Sequence, residues 1–316
     1  MPGRWIAVLV LAAIAAAWGT IPLIVRNVEL PAEQLVAARL WLGALPLLGW
    51  LTLRGQLHLP RPDLMRIVAL GVVLAVHWAA FFWSLKTTTV AIALVLVYLS
   101  PVLLASLAPR ILGEHTSART WFAVAMALVG VTLVARPGEG ATVAGTATGL
   151  IAAATLAALI LIGKPIAGRI GGLRLATYEH TIAALIMTPW ALGALIDVPW
   201  EEGSNPSALD SWWQLLILGV VLTGLTGVFY WMSVSRLPAT TVGIIMLVEP
   251  ASAVIWAALF LDESPGLPVV LGVGFVIAAG VVTALEQQSA TVLGIFKDSA
   301  ELPMKHRTTG RHSKGE

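Results

Sequence analysis

The sequence predicts an all-α polytopic membrane protein, with ten transmembrane helices arranged as two inverted five-helix repeats around a central cavity. Three observations predict it: a deficit of charge, a succession of apolar runs of membrane-spanning length, and internal repetition. A soluble domain carries about 25% charged residues, whereas this chain of 316 residues carries 11% against 58% apolar residues. A surface facing lipid accounts for that deficit, and the runs follow so closely that no soluble domain fits between them. The formal charge is only +2, so basicity bears on topology and not on nucleic acid. Cysteine is absent, which excludes disulfide frameworks and thiolate metal sites. No cofactor is implied.

A spanning helix needs about 20 apolar residues to cross a hydrocarbon core about 30 Å thick. Spans are expected near 5–25, 32–52, 66–85, 88–107, 119–135, 149–167, 174–195, 211–232, 240–261 and 268–285. A cleaved signal peptide is the rival reading of the first, because Arg4 precedes an apolar run containing Ala15-Ala16-Ala17. Signal cores are about 7–15 residues long, however, and this run continues through Pro22 to Val25, so a retained helix is expected. Polar residues begin at Glu286, and 291–316 reads as a disordered cytoplasmic tail.

Lys and Arg set the orientation. With the N-terminus inside, ten lie on cytoplasmic segments before the tail (Arg4, Arg54, Arg61, Arg66, Arg110, Arg119, Lys164, Arg169, Arg174, Arg236). Three lie on outer ones: Arg26, Lys86 and Arg136. The outer loop from Asp197 to Asp210 is acidic with no base. Both termini are therefore expected in the cytoplasm of a cell inner (plasma) membrane. Trp5, Trp50, Trp121, Trp200, Trp212 and Trp213 fall near span ends, where aromatic belts form.

Pro22 and Pro165 are 143 residues apart, as are Pro46 and Pro189; Pro101 and Pro250 are 149 apart, as are Leu112 and Leu261, and Glu114 and Glu263. The offset grows where the second half has its acidic loop. The units are 1–140 and 141–290, and an odd number of helices in each inverts the second. Such repeats place a substrate site near the midplane, between halves that can rock.

An ionisable group at membrane depth costs about 2.5–3.5 kcal/mol and so faces a cavity or a partner. His77 and Glu249 qualify by depth. Arg39 lies nearer the outer surface and within reach of snorkelling. Lys164, Arg174, Glu179 and His180 are expected near the inner surface, accounted for in the same way. His77, Phe81 and Ser84 share a helical face, and the 149-residue offset carries them to Thr226, Tyr230 and Ser233. Cavity lining is expected of His77, Phe81 and Tyr230, and helix–helix hydrogen bonding of Ser84, Ser233 and Thr223. Glu249 is either an ammonium or proton site or half of a buried pair, with His77 a candidate partner. Pro101 and Pro250 are expected to break their helices and serve as hinges, or as static kinks. Pro22 and Pro165 mark a second loosened pair, with Trp18 a candidate cavity aromatic.

Trp18-Gly19, Arg39, Ser84-Leu85-Lys86, Ser100-Pro101 and Leu112-Gly113-Glu114 resemble motifs of the drug/metabolite transporter superfamily. The second half answers with Ser235-Arg236-Leu237-Pro238, Glu249-Pro250 and Leu261-Asp262-Glu263. The likeness is to its ten-helix members with two EamA repeats, covers about 5–285, and is greatest to the YddG-type exporters of aromatic amino acids. It implies a basket-shaped bundle with a central cavity and outward movement of amino acids, aromatic ones together with threonine and other small ones. It leaves proton coupling open, and a multidrug or other small-metabolite exporter is the alternative within the superfamily.

A free amino acid needs an acceptor for its ammonium, donors for its carboxylate and a surface for its side chain. Glu249 suits the first, and Arg39 or proline-freed backbone N–H groups the second. Trp78, Phe81, Tyr98, Tyr230 and Trp231 suit the third. Because Trp78 lies about 100° around its helix from His77, and Trp231 likewise from Tyr230, not all of these are expected to face one cavity. An enzyme is not expected, since the sequence has no His-Glu-x-x-His run and no Gly-x-Ser-x-Gly elbow. A channel would want a ring of like residues from several subunits.

Overall fold

Lipid offers no partner to backbone N–H and C=O groups, so an apolar chain of this kind must satisfy them within helices. The computed structural model describes residues 3–25, 28, 30–58, 61–135, 142–196, 212–260 and 266–300, and these are helical apart from short connections. In order they form α1 (Gly3–Trp18), α2 (Ile21–Val25), α3 (Ala32–Leu53), α4 (Leu64–Thr87), α5 (Val90–Val97), α6 (Ser100–Ile111) and α7 (Ala118–Ala135). Then come α8 (Val143–Ile170), α9 (Gly172–Ile196), α10 (Trp212–Leu216), a π-helical segment (Ile217–Leu225), α11 (Thr226–Val234), α12 (Ala239–Met246), α13 (Val248–Phe260) and α14 (Leu267–Ala300). Among the described residues, eight helical stretches are long and apolar enough to cross a membrane, and Ala118–Val134 is a shorter apolar helix.

Three spans are interrupted. The first breaks at Gly19-Thr20, between α1 and α2, ahead of Pro22. The others break at Tyr98-Leu99 and at Leu247, each just before the proline at 101 or 250. Pro165 departs from expectation, because α8 runs through it without a break, as α3 and α9 run through Pro46 and Pro189. A neighbouring bundle can hold a proline-containing helix together. The last helix also departs from expectation. It runs to Ala300, so 291–300 is helical where a structureless tail is expected, and 301–316 lie outside the described residues. Glu286-Gln287-Gln288 are ordinary helix formers with no breaker beside them, and Thr120 Oγ1 donates to Glu286 at 3.0 Å, tying this stretch to α7.

Packing relies on small residues, as is usual where lipid is as apolar as the side chains. α7 lies along α14 with Gly130 facing Gly272, so close that a Cβ built on either would stand 2.6–2.8 Å from the other's carbonyl oxygen. α3 meets the π segment in the same way, through Gly43 against Gly219 and Gly224. α4 packs on α8, and α3 on α9, where the Trp41 indole donates to Thr188 Oγ1 at 2.9 Å. Ser84 Oγ donates to the Gly145 carbonyl at 2.8 Å, the interhelical role expected of it.

Polar ties collect at the two ends. At one, Lys86 pairs with Glu33, and Thr142 Oγ1 donates to the Thr87 carbonyl at 2.6 Å. At the other, Arg169 pairs with Asp63 and Lys164 with Glu114. Lys164 also donates to the Leu237 carbonyl, while the Ala239 N–H donates to Glu114 at 2.6 Å. Lys164 is thus ion-paired, where snorkelling was expected. Trp5, Trp50, Trp121, Trp212 and Trp213 are exposed; Trp200 lies outside the described residues.

Candidate functional site

The interrupted spans converge on a cavity of about 180 Å³. Proline at position i removes the N–H that would bond the carbonyl at i−4. For Pro22, Pro101 and Pro250 those carbonyls belong to Trp18, Val97 and Met246, and all three residues line the cavity. Non-helical backbone at membrane depth is tolerated where it lines such a space. The carbonyl four residues before Pro165 belongs to Leu161, which does not line it.

Every side chain singled out in the sequence for this role lines the cavity: Trp18, Arg39, His77, Trp78, Phe81, Tyr98, Tyr230 and Glu249. Trp78 joins His77 and Trp231 joins Tyr230, against the expectation from their angular spacing. Rings of this size reach around a helix, and the cavity is walled from several sides. The aromatics also contact one another. His77 stacks on Phe81 with centroids 6.3 Å apart, and Trp18 lies 5.7 Å from Tyr230. The Trp18 indole donates to Thr226 Oγ1 at 3.0 Å, which holds α1 to α11.

Arg39 does not snorkel. It is buried, its Nε donates to Thr223 Oγ1 at 3.0 Å, and its guanidinium lies 4.6 Å from the centroid of the Trp78 ring. Thr223 belongs to the π segment, whose widened turns also let its hydroxyl donate to the Leu218 carbonyl five residues back at 2.8 Å. π segments often occur at functional sites; no residue pattern announces this one. Arg39 also interacts electrostatically with Glu249 across the cavity. Among the described residues no hydrogen bond reaches the Glu249 side chain. A Glu249–His77 pair does not form, because His77 Nδ1 lies 3.0 Å from the Ala152 carbonyl and 3.3 Å from Thr155 Oγ1. Position on α4 directs that ring to α8.

Glu179 and His180 line the same cavity and are buried, so their side chains do not snorkel to the inner surface. Depth along a span is a one-dimensional estimate; the adjacent α4 and α11 close on this part of α9, with Gly71 beside Glu179 and Gly227 beside His180. The Trp231 indole donates to Glu179 Oε2 at 2.6 Å, and His180 Nδ1 is buried with no partner among the described residues. The signal that would have found them is their adjacency on a helix otherwise poor in charge. Among the described residues no three His, Asp or Glu side chains gather as a metal site.

Gly163 on α8 makes room for the Trp231 ring, since a Cβ there would stand 2.1 Å from its Cη2 atom. Gly163→Ala is therefore expected to displace the indole, release Glu179 and destabilise the bundle by about 1–3 kcal/mol, as overpacking does. Thermal unfolding of detergent-purified protein, followed by tryptophan emission, measures this; an unaltered midpoint and spectrum would refute it.

The sequence model of the EamA-like transporter family matches residues 5–136 and again 143–285. The uncharacterized transporter YxxF of Bacillus subtilis is 24% identical over 278 residues, covering 86% of this chain and 87% of its own. The pseudopaline exporter CntI of Pseudomonas aeruginosa is 25% identical, covering 80% and 86%. The threonine/homoserine exporter RhtA of Escherichia coli is 28% identical, covering 80% and 82%. A solved crystal structure, 17% identical, superposes with a TM-score of 0.75 over 89% of this chain and 98% of that one, which shows a common fold.

Proposed function

Since the chain belongs to the EamA-like transporter family, we propose that it exports amino acids across the inner membrane by alternating access, aromatic ones and small ones such as threonine. The observation that carries this reading is a cavity that brings together two carboxyls, a guanidinium and several aromatic faces. Glu249 accepts from the substrate ammonium. The terminal guanidinium nitrogens of Arg39, fixed by its Nε bond and its seat on Trp78, donate to the carboxylate. Trp18, Phe81, Tyr98 and Tyr230 receive the side chain. The cavity, of about 180 Å³, has room for a small ligand, since about 150 Å³ admits benzene. A relative named as a threonine/homoserine exporter points the same way, as does the likeness to YddG-type exporters.

The architecture of this reading is ten spans in two inverted halves. α8 starts beside the end of α4, through Thr142 and Thr87, and finishes beside its beginning, through Arg169 and Asp63, so the two run in opposite directions. With spans alternating in direction, as this reading has them, α1 runs parallel to α4 and so against its own counterpart α8. The packing also exchanges between halves: α4 lies on α8 as α11 lies on α1, and α3 lies on the π segment as α9 lies on α4. The breaks before Pro22, Pro101 and Pro250 are the hinges, and both termini lie in the cytoplasm. The chain has no cysteine, so Gly140→Cys and Lys314→Cys each introduce a lone label site. An impermeant thiol reagent outside the cell is expected to modify the first and spare the second. Equal labelling of both would end the inverted arrangement.

Counterflow in proteoliposomes tests the substrate. Vesicles loaded with unlabelled threonine or an aromatic amino acid are expected to take up the labelled compound faster than protein-free vesicles. Exchange of a lipophilic cation with none of any amino acid would replace this reading with drug export.

A further inference from the structure

Within the cavity the two carboxyl groups have unlike surroundings. Glu249 and Arg39 line the cavity together with Glu179, and among the described residues no Lys, Arg or His nitrogen forms an ion pair with the Glu179 carboxyl. Glu179 has one hydrogen bond, from the Trp231 indole to Oε2, and its Oε1 takes none among the described residues. The titratable and charged groups around it are few. α11 presents Tyr230, α3 presents Arg39, α4 presents His77, α13 presents Glu249, and α9 itself adds Tyr178 and His180. From α8 come Leu156, Leu159 and Ile160, which are apolar. A buried carboxylate with no ion pair is unfavourable, and a proton or a bound cation neutralises it.

Resting on the amino-acid reading above, we infer that Glu179 is the proton-binding group of the transport cycle, so that each amino acid leaving the cell is exchanged for a proton entering it. The proton arrives from outer water onto Oε1 while the cavity faces outward, and returns to cytoplasmic water when it faces inward. No other bond is made or broken. Because the cavity is small, an amino acid held by Glu249 and Arg39 lies close to Glu179 as well. Its ammonium favours the ionised carboxyl, and by linkage the protonated carboxyl favours release of the amino acid. The Trp231 bond to Oε2 positions the group and leaves Oε1 for the proton.

The test uses the full chain in proteoliposomes with an imposed pH gradient and labelled threonine. Wild type is expected to concentrate the amino acid severalfold on the more acidic side. Glu179→Gln is expected still to exchange label for unlabelled compound yet build no gradient, the ratio staying at one. Accumulation by Glu179→Gln, or wild-type exchange without pH-driven accumulation, would overturn the assignment. If Glu179→Gln aggregates on size-exclusion chromatography, Glu179→Asp decides. A displaced pH profile of accumulation supports the role, and an unchanged one overturns it. Infrared difference spectra between acidic and alkaline buffer separate this from failure of the substrate reading, since they need no substrate. A titrating carboxylic-acid band present in wild type and lost in Glu179→Gln supports the assignment even if no amino acid is exchanged; identical spectra from the two proteins overturn it.

Discussion

Glu249→Gln is expected to lower amino-acid counterflow at least tenfold while leaving the protein folded. Gln preserves the size of the side chain and an oxygen acceptor but removes the charge that meets an ammonium. Charged hydrogen bonds contribute about 1.5–3 kcal/mol, and a factor of ten corresponds to about 1.4 kcal/mol, so a tenfold loss is the lower end of that range. The effect should fall on apparent affinity, and it should exceed that of Ser233→Ala, whose buried hydroxyl lies outside the cavity lining. Equal transport by Glu249→Gln and wild type at every pH tested would remove Glu249 from substrate binding.

Arg39→Gln should cost both transport and stability. Without the guanidinium the substrate carboxylate has no charged donor, and counterflow is expected to fall below a tenth of wild type. Glu249 also loses its countercharge at membrane depth, where an unmatched charge costs about 2.5–3.5 kcal/mol. The thermal midpoint in detergent should therefore drop in Arg39→Gln and recover in the double variant Arg39→Gln/Glu249→Gln, with transport still absent. Arg39→Lys should keep part of the stability and little of the transport, because a single ammonium cannot make the bidentate fork or lie flat on Trp78. A double variant no more stable than Arg39→Gln would show that the two charges are energetically independent.

The helices were legible because membrane thickness sets a single length scale, which eight helical stretches among the described residues meet. Glu249 and His77 were legible for a related reason: depth along a span can be counted from its ends. Trp78 and Trp231 line the cavity with the other candidate aromatics, although each sits about 100° around its helix from its neighbour, because a large ring reaches around the helix. Glu179 and His180 were missed because a count from the span end measures depth and not enclosure; α4 and α11 close over them. The π segment at Thr223 has no signature in residue type, only the glycines that let α3 approach. Pro165 was expected to loosen α8 and does not. Proline removes one hydrogen bond wherever it stands, and its surroundings decide whether the helix yields.

The two ends of the bundle are fastened by different chemistry. At the end bearing Asp63 and Glu114, each ion pair joins the first family-matched stretch to the second, whereas the Lys86–Glu33 pair at the other end lies wholly within the first. Parting the halves at the first end therefore means pulling opposite charges apart, work that shrinks as dissolved electrolyte screens them. Parting them at the second breaks, among the described residues, uncharged hydrogen bonds and apolar contact, on which ionic strength has little hold.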